Sequence, residues 1–318
     1  VISLAVGSWR RDDFSHSLIH GKGVLRRWFL KLYKFRRASL CNKSGEKEAL
    51  PNQTLTEQIH KANIEVHRSE AKYYEAIHPE VYGRKEQKRV WTQLRAIDQE
   101  IEGNNKRALD VGAGTGNLTG KLLEMGYHVT ATDISPEMCA ILRKKYAKYL
   151  PDKLVVVNSP IEALTFKEGE FDLICSYSVL HHLPDYVSTL KTLCGYLKRG
   201  GVIYIDHEAS PYYWANERGM LAGIIKGFTF HVNPMLNSIY FIVTGLRVPM
   251  IDYTLSDYWF KKEHALNHQA IRGVFREQSF KSYQRTDHYL NGSWLPNPLA
   301  LIYRLVCKPE MSFWVAQK

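Results

Sequence analysis

Between residues 107 and 206, five short apolar runs (107–111, 128–132, 154–157, 171–176 and 202–206) alternate with helix-length stretches at 118–125, 136–149 and 185–197. Runs this short, joined by connections this long, predict βαβ units and a mostly parallel sheet covered by helices on both faces. Ahead of them, apolar residues recur at helical spacing over 55–77 and 85–101, so two helices precede the first strand. Behind them, residues 209–258 break the alternation with an aromatic-rich insertion. It resumes with a helix near 269–278, a strand near 280–288 and a last strand near 300–307. The class expected is α/β.

Charge is concentrated at one end. The 318 residues carry 43 Lys and Arg against 32 Asp and Glu, a formal charge of +11. Residues 1–50 hold eleven basic and four acidic residues, a net +7, which leaves +4 for the other 268. No basic face therefore runs over the whole molecule, and a nucleic-acid partner is not favoured. Within that end, residues 22–37 set Val24, Leu25, Trp28, Phe29, Leu32 and Phe35 on one helical face and Arg26, Arg27, Lys31, Lys34 and Arg37 on the other. Three readings stand: peripheral contact with an anionic membrane, a transit peptide, or a helix docked on its own domain. Residues 39–56 read as a linker, so residues 1–54 form a basic extension and the folded domain begins at 55. The apolar stretch 227–246 is broken by His231, Asn233, Pro234 and Asn237 and does not read as a spanning helix. Five scattered cysteines with no C-x-x-C pair suit reduced thiols in a cytoplasmic protein, and no metal site is expected.

The most informative string is ALDVGAGTGN at 108–117, a strand, a glycine turn and a helix start. Glycines at 112, 114 and 116 let backbone approach a ligand closely, and the helix start offers free N–H groups. A dinucleotide fingerprint would need a third glycine where Asn117 stands. Asp110, two positions before the first glycine, would repel a pyrophosphate but accept hydrogen bonds from an ammonium group, so the ligand head should be cationic or zwitterionic. Seventeen residues after Gly116, Asp133 ends the second strand in TATDISPEM. A carboxylate there takes both hydroxyls of a ribose, and Ile134 and Met138 can cover an adenine ring. Ser135-Pro136-Glu137 already supplies the helix cap, which leaves Asp133 to the ligand.

Together, DVGAGTGN, TATDISPEM, GEFDLICSYSVLHHLPD and LKRGGVIYIDHE resemble, in order and spacing over 106–208, the motifs of class I S-adenosylmethionine-dependent methyltransferases of the small-molecule, type 11 group. The resemblance implies a Rossmann-like, doubly wound, seven-stranded sheet with a reversed last hairpin. It divides the domain into a helical cap (55–105), a donor-binding core (106–208), an acceptor-side insertion (209–265) and a C-terminal helix with strands (266–318). It further implies S-adenosyl-L-methionine as cofactor, with Asp110 near its amine, Gly112, Gly114 and Gly116 beneath it, Asp133 on the ribose and Ile134 beside the adenine. NSPIEALTF places Pro160 where many relatives carry an Asp for the adenine amino group, so Ser159 or the backbone of Ile161 takes that place. Ser176 at the end of the fourth strand and Tyr74, from an aromatic segment ahead of the core, complete the set.

Methyl transfer is an in-line displacement, and the protein's task is to align donor and acceptor and exclude water. A hydroxyl or carbon-acid acceptor also needs a base. His181, His182, His207 and Glu208 follow the fourth and fifth strands at the carboxyl edge, and one of His182, His207 or Glu208 is the expected base. Aromatics of the insertion, among them Tyr212, Tyr213, Trp214, Tyr253 and Trp259, suit the wall of a pocket for a small hydrophobic, lipid- or sugar-linked acceptor. An RNA methyltransferase and a non-catalytic donor-binding protein remain as alternatives.

Overall fold

The computed structural model describes residues 53–213, 252–261, 266–289, 301, 303–305 and 307–318. The chain divides into two compact units, Val1–Gln53 and Thr54–Lys318. The amphipathic segment 22–37, the linker up to residue 52 and residues 214–251 of the insertion lie outside the described residues.

Thr54 opens helix α1 (Leu55–Glu70) with a reciprocal cap: its hydroxyl accepts from Glu57 N, and the Glu57 carboxylate accepts from Thr54 N. Two donors that helix geometry leaves orphaned are thereby satisfied. The single helix expected over 55–77 is interrupted at residues 71–73 and restarts as α2 (Tyr74–Ile77), followed by α3 (Pro79–Tyr82) and α4 (Arg84–Glu100). The alternating core then runs β1 (Arg107–Val111), α5 (Asn117–Glu124), β2 (His128–Asp133), α6 (Pro136–Lys145), β3 (Leu154–Asn158), β4 (Phe171–Tyr177), α7 (Tyr186–Tyr196) and β5 (Leu197–Ala209). After the insertion come α8 (Tyr258–Lys261), α9 (His268–Glu277), β6 (Ser282–His288) and β7 (Met311–Gln317).

The sheet has seven strands in the order β3-β2-β1-β4-β5-β7-β6, with β7 antiparallel to both its neighbours and the rest parallel. Period-2 alternation sends neighbouring side chains to opposite cores. Ala108, Leu173, Val202 and Tyr204 meet Val90, Leu94 and Leu122 on one face. Leu109, Ile174, Ile203 and Ile205 meet Leu190, Ile271 and Phe275 on the other. Each fully buried Val, Leu, Ile or Phe among them contributes on the order of 1.5–3 kcal/mol relative to exposure.

One strand assignment is corrected. The last strand is β7, at 311–317, and the segment expected to form it, 300–307, is helical at 301 and 303–305. Tyr303 and Cys307 are buried and joined by a backbone bond of 2.8 Å, while Leu301 and Leu305 are exposed. That is spacing of four, a helical face that an apolar run hides from a search for strands.

The chain runs from β1 outward to β3, then returns to place β4 on the other side of β1, so the order reverses between β1 and β4. Open α/β sheets bind ligands at such a point, outside the carboxyl ends of the strands.

Candidate active site

The loops after β1 and β4 part at the reversal and enclose a cleft of about 680 Å³. Gly112 and Gly114 form its floor with φ of +62° and +54°. A Cβ on Gly112 would lie 2.6 Å from Val179 Cγ2, whereas one on Gly114 would meet no protein atom within 4 Å and would intrude on the space above the turn. Only glycine keeps this backbone both left-handed and bare.

Asp133 closes one end of the cleft. Its Oδ2 accepts from Gly114 N and its Oδ1 from Ser135 N, both at 2.8 Å, so the carboxylate is fixed in place. Burial raises its pKa, and nearby His67 and these N–H groups oppose the shift. Ser135 caps α6, accepting from Met138 N. Ile134, Ser159, Ile161 and Tyr74 also line the cleft.

Three residues of the expected set stand behind it. Asp110 is buried and accepts from Thr119 Oγ1 at 2.5 Å; burial lifts its pKa to about 7, the Thr119 bonds opposing. Gly116 starts α5 with φ +92° and its carbonyl accepts from the Tyr146 hydroxyl. Ser176 is buried, and its hydroxyl has no partner among the described residues.

A second cavity of about 780 Å³ adjoins the first. The two share His67, Tyr74, Ser178 and His182 as a common wall. Ser178 has φ +62°, a strained setting for a non-glycine residue. The second cavity is lined by Glu70, His78, Glu80, His181, His207 and Asp257 among others, far more polar than a wall of aromatics. Of those aromatics, Tyr213 and Tyr253 line it, and Tyr253 donates to Glu70 Oε2 at 2.8 Å. Trp214 lies outside the described residues. The described part of the insertion instead clamps the turn after β4. Trp259 Nε1 donates to Leu183 O at 2.7 Å, and Ser256 O accepts from His182 Nδ1 at 2.7 Å.

The candidate bases separate by position. His182 lies on the common wall, and burial followed by its histidine neighbours drives its pKa well below the usual imidazole value, so it is neutral at pH 7. His207 lines only the second cavity, with φ +61°, stacked on Tyr177 and bonded to its hydroxyl at 2.9 Å. Glu208 reaches neither cavity. Its Oε1 accepts from Val179 N and Leu180 N, and its Oε2 from His181 Nδ1 at 2.8 Å. Burial raises its pKa to about 7 against those N–H groups.

Sequence reasoning missed the contribution of α1. His60, Asn63 and His67 line the donor cleft at spacings of three and four, and Asn63 Nδ2 donates to the His182 carbonyl at 3.2 Å. A polar stripe on a helix otherwise anchored by Ile59 and Val66 was the available signal. Beneath the second cavity Arg89 on α4 forks onto Glu86 at 2.5 and 2.9 Å and reaches Asp206 on β5 at 2.7 Å. Burial alone would raise Glu86, but Arg89 brings it down to about 2.

Residues 109–205 match the family model described as a methyltransferase domain. The core of this chain is a class I S-adenosylmethionine-dependent methyltransferase domain. Among curated proteins it is similar to the demethylmenaquinone methyltransferase of Chlorobaculum tepidum, 28% identical over 153 residues, spanning 44% of this chain and 61% of that protein. It is also similar to the ubiquinone biosynthesis O-methyltransferase of Xanthomonas axonopodis pv. citri, 27% identical over 36% of this chain and 47% of that protein. The chain thus spans about half to three-fifths of these relatives' lengths. In fold, the methyltransferase domain is similar to phosphoethanolamine N-methyltransferase 2 of Haemonchus contortus, solved with phosphomonomethylethanolamine and S-adenosylhomocysteine. The TM-score is 0.51 at 13% identity, over 84% of this chain and 60% of that one.

Proposed function

We propose that residues 55–318 bind S-adenosylmethionine in the glycine-floored cleft and methylate a small molecule held in the adjoining cavity. One observation carries this reading: the donor cleft and the second cavity share a wall made by His67, Tyr74, Ser178 and His182. Two reactants held on either side of one wall are already in reach of each other. The cleft suits the cofactor because Gly112 and Gly114 leave a bare left-handed floor and Asp133 is fixed at the end of β2. Bound there, the cofactor supplies an electrophilic methyl group. Gly114 and Asp133 would hold its nucleoside, Ser159 and Ile161 its base, and Asp110 would attract the amino group from behind the turn.

On the acceptor side, the position of His182 on the common wall supports reading it as the group that touches the reacting atom. The Ser256 carbonyl accepts a hydrogen bond from its Nδ1–H, so the lone pair resides on Nε2. Tyr74, whose phenol burial keeps neutral, and Trp259, which pins the turn, close the space around it and exclude water. The relatives named for quinone biosynthesis make a phenolic or quinone-like acceptor the reading to test first, with a polar head among the histidines and carboxylates. Residues 22–37 would add contact with an anionic membrane surface.

Calorimetry with S-adenosylhomocysteine tests the donor reading, with one site per chain expected; no saturable binding would overturn it. Transfer of a labelled methyl group from the cofactor to demethylated quinol precursors then tests the acceptor. Binding without transfer to any metabolite fraction would leave a donor-binding protein.

A further inference from the structure

Strand β5 is irregular where it meets the second cavity. Its ladder with β7 is regular from Val202 to Ile205, slips, and resumes at Glu208. Within the slip His207 has φ +61°, an uncommon setting for a residue with a Cβ. A regular strand sends consecutive side chains to opposite faces. Here Asp206 and His207 both turn to the pair on α4: Arg89 binds Asp206 Oδ2 at 2.7 Å, and His207 Nδ1 lies 3.9 Å from Glu86 Oε1. A bulge of this kind re-aims a side chain at the expense of pairing, and its strain persists only where the surroundings enforce it. Here the His207 N–H, which donates to Asp206 Oδ1 at 2.7 Å, helps to enforce it.

The hydrogen bonds behind His207 settle its tautomer. Burial keeps the Tyr177 phenol protonated, and its single proton goes to Glu86 Oε1 at 2.8 Å. Glu86 has none to return, since against the effect of burial Arg89 holds it ionised, with a pKa of about 2. The 2.9 Å contact between the Tyr177 hydroxyl and His207 Nδ1 therefore has the imidazole as donor. Its lone pair is on Nε2, which has no hydrogen-bond partner among the described residues. The ring is stacked on that of Tyr177, 4.8 Å away and 17° from parallel, so turning it would forfeit the stack. Burial lowers the pKa of His207 against the pull of Glu86 and Asp206, which leaves the imidazole neutral at pH 7. His182 is alike in these respects, neutral with its lone pair on Nε2, but it lies on the wall shared with the donor cleft, whereas His207 lines the second cavity alone. Glu70 and Glu80 on the same lining are already paired with His78, which they keep charged, with a pKa of about 9, against the effect of burial.

We propose that His207 is a specificity residue of the acceptor site: its Nε2 accepts a hydrogen bond from a hydroxyl of the acceptor other than the one beside His182. Tyr177 and Glu86 act through it as positioning residues. The acceptor class is then a molecule with two hydroxyls, a diphenol for example, one oxygen receiving the methyl group beside His182 and the other held at His207. An ether or carbonyl oxygen at the second place would set lone pair against lone pair and leave Nε2 buried without a partner, which costs more than the absence of a contact. This inference rests on the reading of the second cavity as the acceptor site.

The test uses the full chain. With isotope-labelled histidine, long-range proton–nitrogen NMR reads the tautomer of His207, assigned by its loss in His207→Asn. The Nδ1–H form is expected in wild type and a shift toward Nε2–H in Tyr177→Phe. An Nε2–H form in wild type, or a tautomer unchanged in Tyr177→Phe, would overturn the positioning chain. Asparagine suits the place because it tolerates left-handed backbone and its Nδ2 stands in for Nδ1, while nothing replaces Nε2. Hydroquinone and its monomethyl ether, one hydroxyl fewer, are then titrated anaerobically with S-adenosylhomocysteine present. Wild type should bind hydroquinone about 10-fold more tightly, and His207→Asn and Tyr177→Phe should bind the two alike within about 2-fold. Equal affinities in wild type, or a preference that survives His207→Asn, would overturn the role of His207 and leave the acceptor reading standing. If neither phenol binds while S-adenosylhomocysteine does, the acceptor half of the proposed function falls together with this inference. Circular dichroism checks the fold of each variant, and if His207→Asn does not fold, Tyr177→Phe carries the same comparison.

Discussion

Asp110 on β1 and Asp133 at the end of β2 carry opposite burdens. Asp133 has its lone pairs partly satisfied by Gly114 N and Ser135 N, so its replacement removes a fixed, charged acceptor from the cleft wall. Asp133→Ala should weaken S-adenosylhomocysteine binding by about 10–100-fold, the equivalent of a charged hydrogen bond of about 1.5–3 kcal/mol, measured by calorimetry. Asp110 is held near pKa 7 by burial. Its folded pKa stands above the unfolded value near 3.8, so the stability it contributes is fully present below pH 3.8 and is lost as pH rises through 7. The ligand's ammonium group needs the opposite, ionised form. Wild type minus Asp110→Asn should therefore show thermal stability falling between pH 4 and 7 in the apo protein, and ligand affinity rising over pH 6 to 8. A pH profile identical in the two proteins would remove Asp110 from the site. Gly112 and Gly114 divide differently. Gly112→Ala should cost about 1–3 kcal/mol in urea unfolding because its methyl strikes Val179. Gly114→Ala should cost about 1 kcal/mol yet impair ligand binding more, because its methyl occupies open cleft.

At the scale of elements, the contact between α4 and β5 is held by charge. Arg89 joins Glu86 to Asp206, all three largely buried, and Tyr204 donates a further bond to Asp206. Arg89→Met leaves two buried carboxylates without their cation and should destabilise the fold by about 3–5 kcal/mol in chemical denaturation. A loss under 1 kcal/mol would mean that water reaches the pair. Which elements the sequence disclosed follows from the same distinction between local and distant causes. Strand β1 was legible to the residue, and β2 to β4 to within one residue at their ends, because their period and the glycine turn after β1 are local. The Asp133, Gly112 and Gly114 constellation was legible for the same reason. Strand β7 was not, since the 300–307 run is as apolar as a strand while its burial at Tyr303 and Cys307 has a spacing of four. Nor were Asn63 and His67 of α1, or Asp257, 75 residues beyond His182 in the chain: their roles come from the packing of a cap and an insertion over the sheet edge, which no local period encodes.

For the whole molecule, the question is where a domain of modest charge does its work. Residues 1–50 hold +7 of the +11, and the apolar face of 22–37 carries Trp28, Phe29 and Leu32 beside five cationic side chains. Each Lys or Arg near an anionic surface is worth about 1 kcal/mol, and the attraction decays within a Debye length of about 10 Å at 0.1 M salt. The full chain should therefore co-sediment with vesicles containing phosphatidylserine, less so as salt rises, and not with neutral vesicles. Residues 54–318, a compact unit of their own, should lose that association and keep the S-adenosylhomocysteine affinity of the full chain. No helix among the described residues is long and apolar enough to cross a membrane, so vesicle binding that survives removal of residues 1–53 would have to come from another surface and would sink the role given to 22–37. Loss of ligand affinity on the same deletion would show instead that the extension completes the site.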